Sequence, residues 1–166
     1  MGLLIACAAL TWSAAAGAAI EDWNDKNIKW MSYEDGLKEA RKSHKPICLI
    51  FFTTWCPHCR NYSTVFEDPK VVEKSKSFVM IRLDKDKNAE LSGKFKPDGE
   101  YIPRTYFLSS DGKLDESLSE PRDQFKYFYN EKDPASILAG MDRALDKLGK
   151  AKAGKGAASS KKSKAQ

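Results

Sequence analysis

The sequence predicts an α/β protein in which a central mixed sheet is flanked by helices. Apolar, β-branched runs alternate with segments of helical periodicity along the chain. A helical segment joins the first two runs, which favours a parallel crossover between them. The last apolar run is followed by a turn and a second short run, which is typical of an antiparallel hairpin.

The first half of the domain contains two helical segments and two core strands. Ser32, with an acid three residues later, predicts the capped start of an amphipathic helix. Asp68-Pro69 interrupts the second helical segment. The predicted elements are a helix over 32–43, a buried strand over 47–53, a helix over 60–66 and a strand over 78–83.

The second half begins with a polar segment and ends with a helix. The predicted elements are a loop over 84–100, a strand over 105–108, a turn over 110–112, a returning strand over 113–118 and a helix from Asp133-Pro134. Asp133 is a good cap, and Pro134 suits the first helical turn. Ile137, Leu138, Met141, Leu145 and Leu148 predict the buried stripe of this helix, which we expect Gly149 to end.

The chain divides into a leader, one domain and a tail. Residues 2–12 are apolar, and the small residues 13–19 offer Ala16-Gly17-Ala18 as a cleavage site. Residues 1–19 are therefore predicted to be a signal peptide, although no Lys or Arg precedes the apolar core. Residues 20–148 form the predicted domain. We expect an exported, monomeric mature chain without a transmembrane segment, in a compartment that permits disulfides.

The charge of the chain is concentrated in its last residues. The formal net charge is +5, but residues 149–166 contain six lysines and no acid, so the rest of the chain carries −1. A near-neutral domain argues against binding of nucleic acid. The tail itself, rich in Lys, Ala, Gly and Ser, is predicted to be disordered.

The motif Trp55-Cys56-Pro57-His58-Cys59 stands between the first predicted strand and the following helix. A helix N-terminus favours a thiolate over a thiol, and Pro57 fits the first helical position. Cys56 and Cys59 are close enough along the chain to alternate between a dithiol and a disulfide. This pattern predicts redox chemistry.

A structural zinc site is the main alternative for the two cysteines. Such a site needs about four ligands, usually from two cysteine pairs. The chain contains only one Cys-x-x-Cys, and Cys48 lies within the apolar run, where it is predicted to be a buried small hydrophobe. We therefore predict neither a metal nor another cofactor.

These motifs, in this order, make the chain similar to thioredoxin-fold oxidoreductases. Within them it resembles the small endoplasmic-reticulum thioredoxin-domain proteins related to the anterior-gradient group, over residues 28–148. The segments that carry the resemblance are Ser32–Ala40, Trp55–Cys59, Phe78–Met80, Pro97–Arg104, Tyr106–Leu108 and Lys126–Tyr129. The resemblance implies thiol–disulfide exchange with cysteine-containing proteins and a redox partner that recycles the dithiol. It also implies a cis Ile102–Pro103 bond that faces the dithiol and pairs with the substrate backbone.

The chain departs from that group at three positions. Pro57-His58 matches the oxidising, DsbA-like bacterial periplasmic type, and Ile50 stands where related proteins often bury an acid. The sequence ends without a reticulum-retention tetrapeptide. We expect a periplasmic protein if the source is bacterial, and otherwise one of the reticulum lumen or secreted.

We assign roles to the residues of the motif. Cys56, at the exposed helix terminus, is predicted to attack, and Cys59 to resolve the mixed disulfide. His58 is predicted to be a donor and a cation next to both sulfurs, and Trp55 to shield one side as an apolar platform. Arg104 is interpreted either as a source of positive potential or as a solvated surface charge.

Two other function classes remain open from the sequence. A peptide-binding or chaperone-type module would grip its partner near Pro103, but relatives of that kind typically lose one cysteine of the pair. A metal-delivery protein would use the dithiol together with a histidine, and such carriers usually have a wider cysteine spacing.

Overall fold

A computed structural model describes residues 22–160 of the protein. The predicted signal peptide at residues 1–19 lies outside the described residues, as do residues 161–166. None of the helices in the described part of the chain is both long and apolar enough to cross a bilayer.

The sheet is mixed, as the sequence predicts, and it has four strands, of which the first was not predicted. The strands are β1 (Trp30–Met31), β2 (Ile47–Phe52), β3 (Val79–Asp84) and β4 (Arg104–Leu108). Their order across the sheet is β1-β3-β2-β4; β3 runs parallel to β1 and β2, whereas β4 runs antiparallel to β2. The parallel crossover between β2 and β3 is confirmed.

The described helices are α1 (Tyr33–Ser43), α2 (Pro57–Val65), α3 (Pro69–Ser75), α4 (Ala89–Lys94) and α5 (Pro134–Ser160). Side chains cap the first three. The Ser32 hydroxyl accepts a hydrogen bond from the backbone N–H of Asp35, and the Asp68 carboxylate accepts from Lys70 and Val71. The cap of α2 is Cys56. These caps satisfy amide groups that would otherwise lack a partner at each helix start.

Strand β2 separates two hydrophobic cores. All six of its residues are buried. Cys48, Ile50 and Phe52 point into one core with α2 and α5, and the intervening residues point into the other with α1. Because side chains alternate across a strand, a continuous apolar run is what a strand buried on both faces requires.

We predicted that the polar segment 84–100 is a loop. In the structure it contains the short helix α4. The buried Phe95 ends this helix, and the Arg104 side chain holds the segment in place. Arg104 donates to the carbonyl oxygens of Phe95 and Gly99, each at 2.9 Å, and to the Ser92 hydroxyl. The alternating charges of the segment do not predict a helix, because α4 is stabilised by Arg104, which lies outside the segment.

The prediction of a returning strand over 113–118 is wrong, since these residues form no strand. A single bridge joins Leu108 to Leu114. Beyond it the chain turns, because the Asp115 carboxylate accepts hydrogen bonds from both the backbone N–H and the hydroxyl of Ser117. Aspartate often competes in this way with a strand ladder.

Helix α5 begins at Pro134 as predicted but continues to Ser160, so Gly149 does not end it. A glycine ends a helix when it adopts positive φ, and the positive-φ glycines of the described chain are Gly99 and Gly112. Ala and Lys, which dominate the sequence after Gly149, are good helix formers. The predicted apolar stripe is confirmed, since Ile137 and Met141 are fully buried.

Replacing Gly36 of α1 with Ala is expected to lower the free energy of unfolding by about 1–3 kcal/mol, as overpacking of a filled core does. The new methyl would lie 2.6 Å from Cγ1 of Ile81, which is itself fully buried on β3. Gly93→Ala in α4 is the matched control. Nothing lies near its added methyl, so the helix should gain about 0.5–1 kcal/mol. Urea denaturation measures both, and equal stability of the two variants would contradict the packing of α1 against β3.

Candidate active site

The two cysteines of the motif lie at the N-terminus of α2, as predicted. Cys56 is the N-cap, and its Sγ accepts a hydrogen bond from the backbone N–H of Cys59 at 3.3 Å. Pro57 is the first helical residue, so its missing N–H leaves no gap in the helix. Both cysteines are free thiols in this structure, so the site is described in its dithiol form.

Burial distinguishes the two thiols. Cys59 is fully buried, and this burial, together with its hydrogen bond to Cys56, raises its pKa well above the usual value. A hydrogen bond from the Thr53 backbone offsets part of that rise. Cys59 is therefore a protonated thiol at neutral pH, whereas Cys56 receives the hydrogen bond at the helix terminus. This asymmetry fits Cys56 as the attacking group and Cys59 as the resolving group.

Cys56 is less accessible than we predicted. Only 3% of the residue is exposed, because the segment before β4 lies against it. Its thiol contacts the carbonyl oxygen of Ile102 at 3.9 Å. The Ile102–Pro103 bond is cis, as the resemblance implied, and Pro103 is buried. The peptide bond between Ile102 and Pro103, which are predicted to bind substrate, thus lies beside the Cys56 sulfur.

His58 is paired with an acid in the structure. Its Nδ1 lies 2.7 Å from Oε2 of Glu131, and its ring packs edge-on to Phe128. Among the described residues, no hydrogen bond joins His58 to either sulfur. The side chain is 62% exposed, so the geometry makes His58 the partner of an acid at the rim of the site.

Glu131 is the site residue that the sequence analysis missed. It lies in the loop before α5, and its carboxylate also accepts a hydrogen bond from Nδ2 of Asn61 at 2.9 Å. Burial alone would raise its pKa, but the hydrogen bonds from Asn61 and His58 bring that pKa below the usual value. Glu131 is therefore ionised at neutral pH. No local motif marks it, because its partners lie about 70 positions away along the chain.

Trp55 lies at the surface, whereas Arg104 is buried. Trp55 is 66% exposed, and its indole N–H donates to the Asp86 carboxylate at 2.8 Å, which fixes an apolar ring at the surface beside Cys56. Arg104 is fully buried and stacks on Phe51, so it is neither a solvated charge nor a group that faces the dithiol. Its role is to hold the segment that ends at Ile102.

A second exposed aromatic residue was also missed. Phe125 is largely exposed and adopts a positive φ of 53°, which is unusual for a bulky residue. Its ring stacks edge-on against Tyr101 at a centroid distance of 5.0 Å. Tyr101 packs against the hydrophobic core on the α1 side of the sheet.

The donor groups of the site do not form a metal cage. Within residues 22–160, no group of three or more His, Cys, Asp or Glu side chains is close enough to hold a metal ion. The reactive groups that the fold brings together are the two thiols.

The fold of the described residues is thioredoxin-like. Residues 29–110 match the family model described as "Thioredoxin-like". The mixed sheet, the dithiol at a helix N-terminus and the cis proline opposite it agree with that match. The thioredoxin-like fold predicted from the sequence is confirmed.

The chain is similar to proteins of the anterior gradient group. The chain is 29% identical to "Anterior gradient protein 2 homolog" of Homo sapiens over 130 residues, which cover 76% of this chain and 71% of the relative. It is 27% identical to "Anterior gradient protein 3" of Xenopus tropicalis over 132 residues, covering 76% of each. These matches confirm the resemblance that the sequence motifs indicated.

Solved structures show the same fold at lower identity. A thioredoxin from Thermus thermophilus superposes with a TM-score of 0.59 at 21% identity and covers 74% of this chain and 91% of its own. A disulphide isomerase from Xylella fastidiosa Temecula1 gives a TM-score of 0.52 at 23% identity, with 81% and 98% covered.

Iodoacetamide at neutral pH is expected to modify Cys56 at least about tenfold faster than Cys59 in the reduced protein, because the thiolate is the reacting species. Cys48 is an internal control, since burial raises its pKa as well. Labelling of Cys59 and Cys48 should rise only at strongly alkaline pH. Peptide mass spectrometry over time measures the rates. Faster labelling of Cys59 would reverse the assignment of roles.

Proposed function

We propose that this protein is an exported thiol–disulfide oxidoreductase that exchanges disulfides with protein substrates through Cys56 and Cys59. The observation that carries the proposal is the position of Cys56. Its sulfur caps α2, accepts the N–H of Cys59, and lies against the carbonyl of Ile102 beside the cis proline. A nucleophile and its resolving group thus share one helical turn next to a backbone segment.

The exchange follows from the two thiols. The Cys56 thiolate attacks one sulfur of a substrate disulfide, which forms a mixed disulfide and releases the other sulfur as a thiolate. Cys59 then transfers its proton to a departing substrate thiolate and attacks the Cys56 sulfur. The other substrate thiolate takes its proton from water, so the substrate leaves with two thiols and the protein keeps the disulfide. The reverse sequence oxidises a substrate dithiol.

The surface around Cys56 supports a protein as the substrate. Ile102 is partly buried and offers its backbone beside the sulfur, where an extended chain can pair with it. Trp55 presents an apolar ring on the other side of the motif, held by Asp86. We assign backbone pairing to Ile102 and Pro103, and apolar contact to Trp55.

The proposed cycle requires a second redox partner. Each round of exchange leaves the dithiol in the opposite state, so another thiol or disulfide must restore it before the next round. We assign residues 1–19 to export, which would place both reactions in a compartment where disulfides persist. That compartment is the periplasm in a bacterium, and the reticulum lumen or the exterior in a eukaryote.

Cys56→Ala is expected to abolish disulfide exchange, whereas Cys59→Ala should attack substrates and accumulate mixed disulfides. Reduction of insulin measures the first effect. Non-reducing electrophoresis of extracts from the native compartment shows the trapped species of the second. Cys48→Ala is the control and should exchange at the normal rate, because its thiol is buried in the core away from the solvent.

The same variants test the alternative functions. Full biological activity of a Cys56 variant would favour a peptide-binding module instead of an enzyme. Trapping by the Cys56 variant, and not by the Cys59 variant, would exchange the two roles. A metal retained by the purified protein and lost in both cysteine variants would favour metal delivery.

The reduction potential is expected to lie between that of thioredoxin, about −270 mV, and that of DsbA, about −120 mV. The Pro57-His58 pair matches the oxidising type, and the terminus of α2 favours the Cys56 thiolate. The Glu131 carboxylate at the rim of the site opposes that thiolate. Equilibration with glutathione measures the potential, and a value at or outside either limit would contradict this balance of charges.

A further inference from the structure

The loop before α5 brings one carboxylate onto the active-site helix. Glu131 contacts two side chains of α2: Oε2 lies 2.7 Å from Nδ1 of His58, and Oε1 accepts from Asn61 at 2.9 Å. His58 belongs to the first turn of α2, between the two cysteines, and Asn61 follows Cys59 by two residues. The carboxylate is therefore fixed by two hydrogen bonds beside the turn that carries the thiols.

The acid is the less hydrated member of its pair with His58. The Glu131 side chain is only 14% exposed, while that of His58 is 62% exposed. A charge held away from water is screened less and acts more strongly on its neighbours. After burial and the hydrogen bond with Cys56, the Glu131 charge is a further influence that raises the pKa of Cys59.

Other charged side chains line the cavity beside His58 and Glu131, but they contact other partners or are exposed to solvent. His58 and Glu131 line an open cavity of about 520 Å³ together with Glu120, Arg122 and Lys132. Glu120 pairs with Arg143 at 3.0 Å, and the Arg122 guanidinium lies over Phe128. Lys132 is exposed. The pair of His58 and Glu131 is thus the charge arrangement in direct contact with the active-site turn.

We propose that Glu131 is a positioning residue that sets the redox balance of the dithiol, and that His58 acts on the dithiol as the counter-ion of Glu131. This inference rests on the proposed thiol–disulfide exchange. The 2.7 Å contact directs Nδ1 of His58 towards the carboxylate. When it is protonated, His58 offsets a negative charge that would otherwise disfavour the Cys56 thiolate.

The effect of replacing His58 should depend on whether Glu131 carries its charge. His58→Ala leaves the carboxylate uncompensated beside the thiols, so the reduced form is disfavoured and the disulfide becomes a weaker oxidant. Glu131→Gln keeps the shape and the hydrogen bonding to Asn61 but removes the charge. In that background His58 has no charge to cancel, so its removal should matter little.

The experiment is a double-mutant cycle on the full chain with His58→Ala, Glu131→Gln and the double variant. One readout is the equilibrium constant with glutathione; the other is thiolate absorbance near 240 nm against pH, a setting chosen because thiolates and thiols differ there. His58→Ala should lower the equilibrium constant for oxidation of glutathione about fivefold, on the scale where tenfold is about 30 mV. The double variant should return to within about twofold of the wild type, and Glu131→Gln alone should be no weaker an oxidant than the wild type.

Glu90→Gln is the matched control. Glu90 is an exposed acid on α4 that pairs with Lys94 at the surface, where both side chains are exposed to water, and its substitution should change neither readout. If the effect of His58→Ala persists unchanged in the Gln background, His58 acts directly on the sulfurs and the inference is overturned. It is equally overturned if His58→Ala changes neither readout.

The two readouts separate this inference from the proposed function. Neither needs a protein substrate, and the absorbance titration does not need exchange at all. Rescue in the double variant together with a failure of Cys59→Ala to trap any protein would sink the proposed function alone. Trapping without rescue would sink the inference alone.

Discussion

The pairing of β2 with β3 on one side and β4 on the other is the constraint on which the rest of the structure depends. Six consecutive residues of β2 pair with Val79–Asp84, and five pair with β4. A strand buried on both faces and both edges can only release the chain at its end. The first residues after β2 are therefore held at the end of the strand, and Cys56 lies there at the start of α2.

Arg104 connects the opposite wall of the site to the same sheet. It pairs with Phe51 in the register of β4 against β2, and its guanidinium binds the backbone of the preceding segment. A buried cation normally requires a partner, and here carbonyl dipoles and a hydroxyl supply it in place of an acid. The position of Ile102 against Cys56 follows from this anchoring, because Ile102 lies between the anchored segment and β4.

Features with a local cause could be predicted from the sequence. The capped start of α1 follows from Ser32 and Asp35, and β2 follows from its apolar run. The dithiol at the start of α2 follows from Pro57 and the cysteine spacing. Glu131 could not be predicted, since its importance arises only when a loop before α5 packs onto α2. The direction of the His58 ring follows from that contact, so the sequence could not predict it either.

The loss of the predicted hairpin leaves β4 at the edge of the sheet, which affects how the protein meets other copies of itself. An open edge is a template for strand addition and aggregation. Here the N–H of Thr105 donates to the carbonyl of Tyr127 at 2.8 Å, and that of Ser109 donates to Lys113 at 2.9 Å. Irregular chain therefore occupies hydrogen-bonding positions that a strand would have filled. A second copy could extend the sheet at β4 only by displacing both bonds, so the edge is protected without a fifth strand.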